Sequence, residues 1–173
     1  MEPQEDPLDD PTALLRGPTP ERKRGLEALG AIVRSLLRHA VNPVAVVLLH
    51  LACRWVFGLY EKIPNLDTPM HFLGGVVIAQ FFVRVVEDLR RPYGRGWLQD
   101  AMHLLLTLGA VSFAALAWEI VEFASDSFFG TQSQRDNADT MGDLIFGLLG
   151  GLTYWTLVRW KQAADDLAAR RAH

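Results

Sequence analysis

Four apolar stretches dominate the chain, at about residues 43–60, 69–86, 100–123 and 141–158. Each is roughly 18 to 24 residues long, enough or nearly enough, at about 1.5 Å per residue, to cross a hydrocarbon layer about 30 Å thick. Soluble helices of this length usually keep a polar face, and these stretches largely lack one. The expected fold is an all-α polytopic membrane protein with four transmembrane helices. A soluble bundle of buried helices is the alternative, because the first, second and fourth stretches contain polar residues.

The flanking segments extend this plan. Residues 1–18, MEPQEDPLDDPTALLRGP, are rich in proline and acid and predict a disordered tail. Residues 19–41 predict an N-terminal amphipathic interfacial helix, with Thr19 as its cap, Pro20 in the first turn and Glu21 complementing the helix dipole. Leu26, Leu29, Val33, Leu36 and Leu37 recur at helical spacing, while Arg22, Lys23, Arg24, Arg34 and Arg38 carry the charge. That pattern suits a helix lying on an anionic leaflet. The transmembrane domain is then residues 42–160, and residues 161–173 form a cytoplasmic tail. No secretory signal pattern precedes the first apolar stretch, so the first membrane helix is expected to act as its own insertion signal.

Basic residues orient the chain. They gather before the first helix, around Arg84, Arg90, Arg91 and Arg95, and in the tail at Arg159, Lys161, Arg170 and Arg171. In a four-helix topology all three groups fall on one side, and only Lys62 and Arg135 lie opposite. The positive-inside rule then makes both termini cytoplasmic and the loops at 61–68 and 124–140 external. Glycines and alanines at Gly74, Gly75, Gly109, Ala114, Gly142, Gly147, Gly150 and Gly151 predict close helix packing, since small residues let membrane helices approach.

Several function classes are disfavoured. A formal charge of −3 without a basic, aromatic-interleaved stripe argues against a nucleic-acid partner. The lone Cys53 allows no intrachain disulfide and no cysteine-rich metal site. HExxH, GxSxG, a phosphate loop and a Cys–His nucleophile pair are all missing, so any chemistry has to run on acids, a histidine and a metal.

The remaining polar residues converge. Helix two begins with Asp67 and His71, helix three ends with Glu119, Glu122 and Asp126, and helix four begins with Asp139 and Asp143. Spacings of i, i+3 and i, i+4 put each set on one helix face, and the topology brings the three sets to one membrane depth. An acid facing hydrocarbon costs several kcal/mol, so these faces are expected to meet inside the bundle. Clustered carboxylates repel unless protonated or neutralised. Arg54 is the expected charge-compensating residue, paired with Glu119. A divalent cation of unknown identity is the expected further neutraliser, held by Asp67, His71, Glu119, Glu122, Asp139 and Asp143. Asp126 is expected at the rim, and Asp139 or Thr140 has the alternative role of a helix cap. Deeper in the membrane, His50, Gln80 and His103 trace a polar pathway toward the cytoplasm, or form interhelical hydrogen bonds.

Three segments also carry a resemblance: LDTPMHFLGG at 66–75, WEIVEFASD at 118–126 and DNADTMGDLIFGLLGG at 136–151. Together they resemble the YjdF-type family of uncharacterised bacterial inner-membrane proteins. The resemblance implies that location and marks Asp67, His71, Glu119, Glu122, Asp139 and Asp143 as signature positions. The chain is more distantly similar to VanZ-like proteins, associated with resistance to the glycopeptide teicoplanin, where Asp-Lys usually stands in place of Asp67-Thr68.

The function expected is that of an integral inner-membrane protein whose outward-facing site binds a divalent cation and acts hydrolytically on a lipid-linked or envelope molecule. Glu122 is the expected catalytic base. The alternatives are a small ion- or proton-coupled transporter using His50, Gln80 and His103, and a non-catalytic structural subunit. Membrane lipids are the other expected partners; the substrate and oligomeric state stay open.

Overall fold

The computed structural model describes residues 20–63, 65–89 and 96–172. The expected tail at 1–18, the Thr19 cap and Arg90, Arg91 and Arg95 lie outside them. The described residues form helices α1 (Pro20–His39), α2 (Val41–Leu51), α3 (Leu59–Lys62), α4 (Asp67–Leu89), α5 (Trp97–Phe129) and α6 (Asn137–Arg171), with a π-helical segment, Ala52–Val56, after α2. No strand occurs among them.

Four helical stretches are long and apolar enough to cross a membrane: Glu21–Val56, Asp67–Leu89, Trp97–Phe129 and Asn137–Arg171. The last three overrun the apolar stretches of the sequence, because hydropathy marks the part suited to lipid while helical hydrogen bonding continues beyond it; the first stops at Val56, short of the expected residue 60, where Gly58 turns left-handed at φ 56°. α6, with 35 residues, is about 52 Å long against a hydrocarbon thickness of about 30 Å. The first span also departs from expectation. α1 does not end before the membrane helix, since Ala40 keeps right-handed helical angles (φ −68°, ψ −15°). The Val44 N–H bonds the Ala40 carbonyl at 3.0 Å, so α1 and α2 read as one continuous rod.

The interior is built from small and polar residues. Val77, Ala79, Val83, Val85 and Val111 are buried, and so are Ser35, His50, Asp67, His103, Thr107, Glu119, Glu122 and Asp143. Large apolar side chains point outward, Phe113 at 76% exposure and Leu105 at 72%. In water such a surface would aggregate; in lipid it is the expected exterior.

α4 and α6 make the most extensive contact, α5 packs on both, and α2 and α1 lie along α4. Glycines set the α4–α6 distance. A Cβ on Gly75 would collide with the Gly147 carbonyl oxygen, and one on Gly150 with the Phe72 carbonyl oxygen. On Gly151 it would stand 2.8 Å from a Val111 methyl on α5. Gly74, Gly109 and Gly142, also expected at packing contacts, have open space where a side chain would be.

Candidate functional site

α4 begins at Asp67, with Pro69 in its first turn, where a missing N–H costs nothing. One turn on, the His71 imidazole is only 8% exposed and has carboxylates around both nitrogens. Its Nε2 stands 3.4 Å from Asp67 Oδ1 and 3.7 Å from Asp143 Oδ2, and its Nδ1 stands 4.0 Å from Glu119 Oε1. Glu122, one turn beyond Glu119 on α5, accepts a hydrogen bond from the Trp118 indole N–H at 3.0 Å. Thus α4, α5 and α6 each supply a wall, as the sequence spacing implies.

Three overlapping sets have ligand atoms within 4.8 Å of one another: Asp67, His71 and Glu122; His71, Glu119 and Asp143; and Asp67, Asp139 and Asp143. All six residues expected to hold a cation therefore come together. Asp67 Oδ1 and Glu119 Oε1 are buried without a hydrogen-bond partner. A buried carboxylate oxygen without a donor is strongly disfavoured, and oxygens grouped around an imidazole suit a hard divalent cation.

The loop after α5 supports this arrangement. Gly130, at φ 66°, adopts the left-handed geometry that ends α5 and turns the chain back. Asp126 then accepts hydrogen bonds from the Thr131 hydroxyl at 2.5 Å and from the Ser133 and Gln134 backbone N–H groups at 2.8 and 2.9 Å. Asp126 is thus the anchor of the loop. Held this way, Gln134 donates its side-chain amide to Glu119 Oε2 at 3.1 Å. α6 is capped by Asp136, which accepts the Asp139 N–H at 2.9 Å, so the cap is neither Asp139 nor Thr140. Asp139 instead accepts the Arg135 backbone N–H at 3.2 Å and meets Arg135 Nε at 3.5 Å.

Arg54 does not form the expected ion pair with Glu119. Its guanidinium lies 5.9 Å from the Trp55 ring centre and 5.8 Å from that of Tyr60, while Glu119 is met by His71 and Gln134. Arg54 lies within the π-helical segment, where the Phe57 N–H reaches back to the Ala52 carbonyl at 3.0 Å and the backbone departs from the α-helical register on which the expected pairing was counted.

The deeper polar residues are partnered separately. His50 Nδ1 accepts from the Tyr60 hydroxyl at 2.6 Å, and its ring meets Trp118 edge-on at 4.8 Å. Burial, with Asp67 nearby, raises the Tyr60 pKa well above its ordinary value, so the phenol stays protonated as donor. Gln80 accepts from Asn42 at 2.6 Å, and His103 Nδ1 accepts from the Trp155 indole at 3.0 Å. These bonds pair helix with helix and do not link His50, Gln80 and His103 to one another.

Sequence reasoning missed Gln134, Tyr60 and Trp118 as contributors to the site. Trp118 lies inside the WEIVEFASD segment; Tyr60 ends the first apolar stretch and Gln134 sits in a polar loop, and neither carries a distinguishing pattern.

Residues 28–163 match a family described as "Predicted membrane protein (DUF2238)". The chain belongs to that family. It is an integral, multi-pass membrane protein, consistent with a YjdF-type kinship. An uncharacterised protein of Thermotoga maritima is 35% identical over 119 residues, covering 67% of this chain and 59% of that relative's length. No solved structure matches.

Proposed function

We propose that this DUF2238 protein is a bacterial inner-membrane protein that binds a divalent cation between α4, α5 and α6 on the external side. One observation carries this reading: Asp67 Oδ1 and Glu119 Oε1 are buried without donors within a cluster of five carboxylates and one imidazole. A single protonated histidine offsets one charge, whereas a divalent cation offsets two and supplies the missing partner to both oxygens. The basic residues at the other end support a cytoplasmic location for both termini.

Hydrolysis of a lipid-linked or envelope molecule is the reaction class this site would serve. Bound there, the cation would polarise a phosphoryl or carbonyl oxygen. Glu122, with Oε1 held by Trp118 and a carboxylate oxygen within the Asp67–His71 set, is the residue suited to take a proton from water. A transporter reading has less support, because His50, Gln80 and His103 are each paired elsewhere. The YjdF-type resemblance agrees with the inner-membrane location, and the VanZ-like one adds no residue to the site.

Metal analysis and Mn²⁺ titration of the purified protein test the proposal. Stoichiometric binding, lost in Asp143→Asn, is the expected result. Metal-free protein whose thermal midpoint ignores both Mn²⁺ and chelator would overturn it, since a ligand bound only by the folded state must raise that midpoint.

A further inference from the structure

Of the cavities beside the acid cluster, two differ most in kind. One, of about 140 Å³, is apolar and lies within the membrane-spanning part, lined by Val47 of α2, Gly74 of α4 and Ala114 and Ala115 of α5. α2 packs on α4 but makes little contact with α5, so this slot lies along a lateral gap in the bundle. The Gly74 position opens into free space, and Val47 is 41% exposed, as at a mouth facing lipid. The other cavity, of about 510 Å³, lies at the loop end and is lined by Arg54, Tyr60, Asn65, Asp67, Gln134 and Arg135.

Each of these two cavities is lined by a residue of the site. His71 lines the apolar slot and Asp67 the polar cavity, with 3.4 Å between their facing atoms. His50 and Tyr60, hydrogen-bonded at 2.6 Å, span the same boundary. The polar cavity also brings the guanidinium groups of Arg54 and Arg135 together at this acid-rich end. Among the described residues no carboxylate comes within ion-pair distance of Arg54, whose contacts are the two aromatic rings. Arg135 meets Asp139 through Nε at 3.5 Å, and its side chain is 56% exposed.

We propose that the ligand of this site is a lipid with a phosphate monoester headgroup. The headgroup sits in the polar cavity between Arg54, Arg135 and the acid cluster, and the start of the acyl chain lies in the slot between α2 and α5. A phosphate monoester has enough oxygens to meet a cation at the carboxylates and an arginine fork at once, whereas a carboxylate has two. The slot takes only the first part of a chain, being close to the roughly 150 Å³ of an apolar cavity that holds benzene. The rest of the chain leaves through the lateral gap into the bilayer. This inference rests on the metal reading only in putting a cation beside the headgroup.

Binding of oleoyl lysophosphatidic acid, oleoyl lysophosphatidylcholine and inorganic phosphate to the purified full-length protein, each with and without Mn²⁺, tests it. Lysophosphatidic acid is expected to bind at least about tenfold more tightly than either of the others. Arg54→Gln and Arg135→Gln should each weaken it about tenfold, since one charge-assisted contact is lost in each, and Arg54→Gln, which touches none of the proposed cation-binding residues, should leave Mn²⁺ affinity unchanged. Gly74→Leu, or Ala114→Leu on the opposite wall, should weaken lysophosphatidic acid and leave inorganic phosphate unaffected. Equal binding of the two lipids, equal binding of free phosphate, or arginine variants without effect would each overturn the proposal. A wild-type protein that ignores Mn²⁺ but keeps the lipid preference and its arginine dependence would sink the metal reading and uphold this one.

Discussion

The two ends of the helical bundle handle charge in opposite ways. Where α4 ends and α5 begins, acids meet bases and donors. Asp88 accepts the Ser35 hydroxyl at 2.9 Å and lies 3.0 Å from His39 Nε2, Asp100 pairs with Arg159, and Gln162 donates to Glu87 at 3.2 Å. At the opposite end four carboxylates crowd one imidazole, Asp139 beside them turns to Arg135, and two buried oxygens have no hydrogen-bond partner. The first arrangement ties α1, α4, α5 and α6 together. The second leaves repulsion between carboxylates in place, as the proposed ligand site would and a structural latch would not.

That contrast breaks most visibly through the acids themselves. In the double variant Asp67→Asn with Asp143→Asn, Mn²⁺ affinity should fall at least about a hundredfold, beyond the loss typical of an outer partner. The same protein in chelator should unfold at a higher temperature than wild type, because repulsion is relieved. A lower midpoint in chelator would make these acids structural and erase the contrast.

Gln134→Ala should have a smaller effect at the same end. It removes the donor to Glu119 Oε2, and titration should read about a tenfold loss of Mn²⁺ affinity with little change in metal-free stability. At the latched end, Trp155→Phe removes the donor to the buried His103 and should cost about 1 kcal/mol in denaturant titration, equally with Mn²⁺ and with chelator. A metal-dependent change there would mean that the two ends are coupled through the helices.

Glu119, Glu122 and Asp143 were legible in the sequence because an acid inside an apolar run has few structural explanations. Asp67 and His71 followed from their i, i+4 spacing and from the topology that returns each helix to the same end. Gln134 was not legible. Its position depends on Asp126 holding the loop, and Asp126 by itself reads as an ordinary charged residue at a helix end. Arg54 was assigned the wrong partner because depth along a helix can be counted from sequence, whereas the rotation introduced by a π-turn has no residue signature. The spans were legible, but their ends were not, since α5 and α6 run past the residues whose hydropathy revealed them. The continuity of α1 with α2 was hidden for a related reason. A polar, basic helix before an apolar one reads as two elements until the backbone at Ala40 joins them.

The glycine contact between α4 and α6 also determines how stiff the site is. Gly75 lies against the Gly147 carbonyl, and a Cβ built on Gly147 would be 3.8 Å from the His71 carbonyl oxygen. Two backbones seated this closely cannot slide past each other, so the spacing of Asp67, His71 and Asp143 is that of a rigid frame. Mg²⁺ demands near-ideal octahedral geometry at short range, whereas Ca²⁺ accepts longer and more irregular shells. If the proposed cation binds there, a frame of fixed width would discriminate between ions by radius, and residues with no side chain at all would set the selectivity of the site.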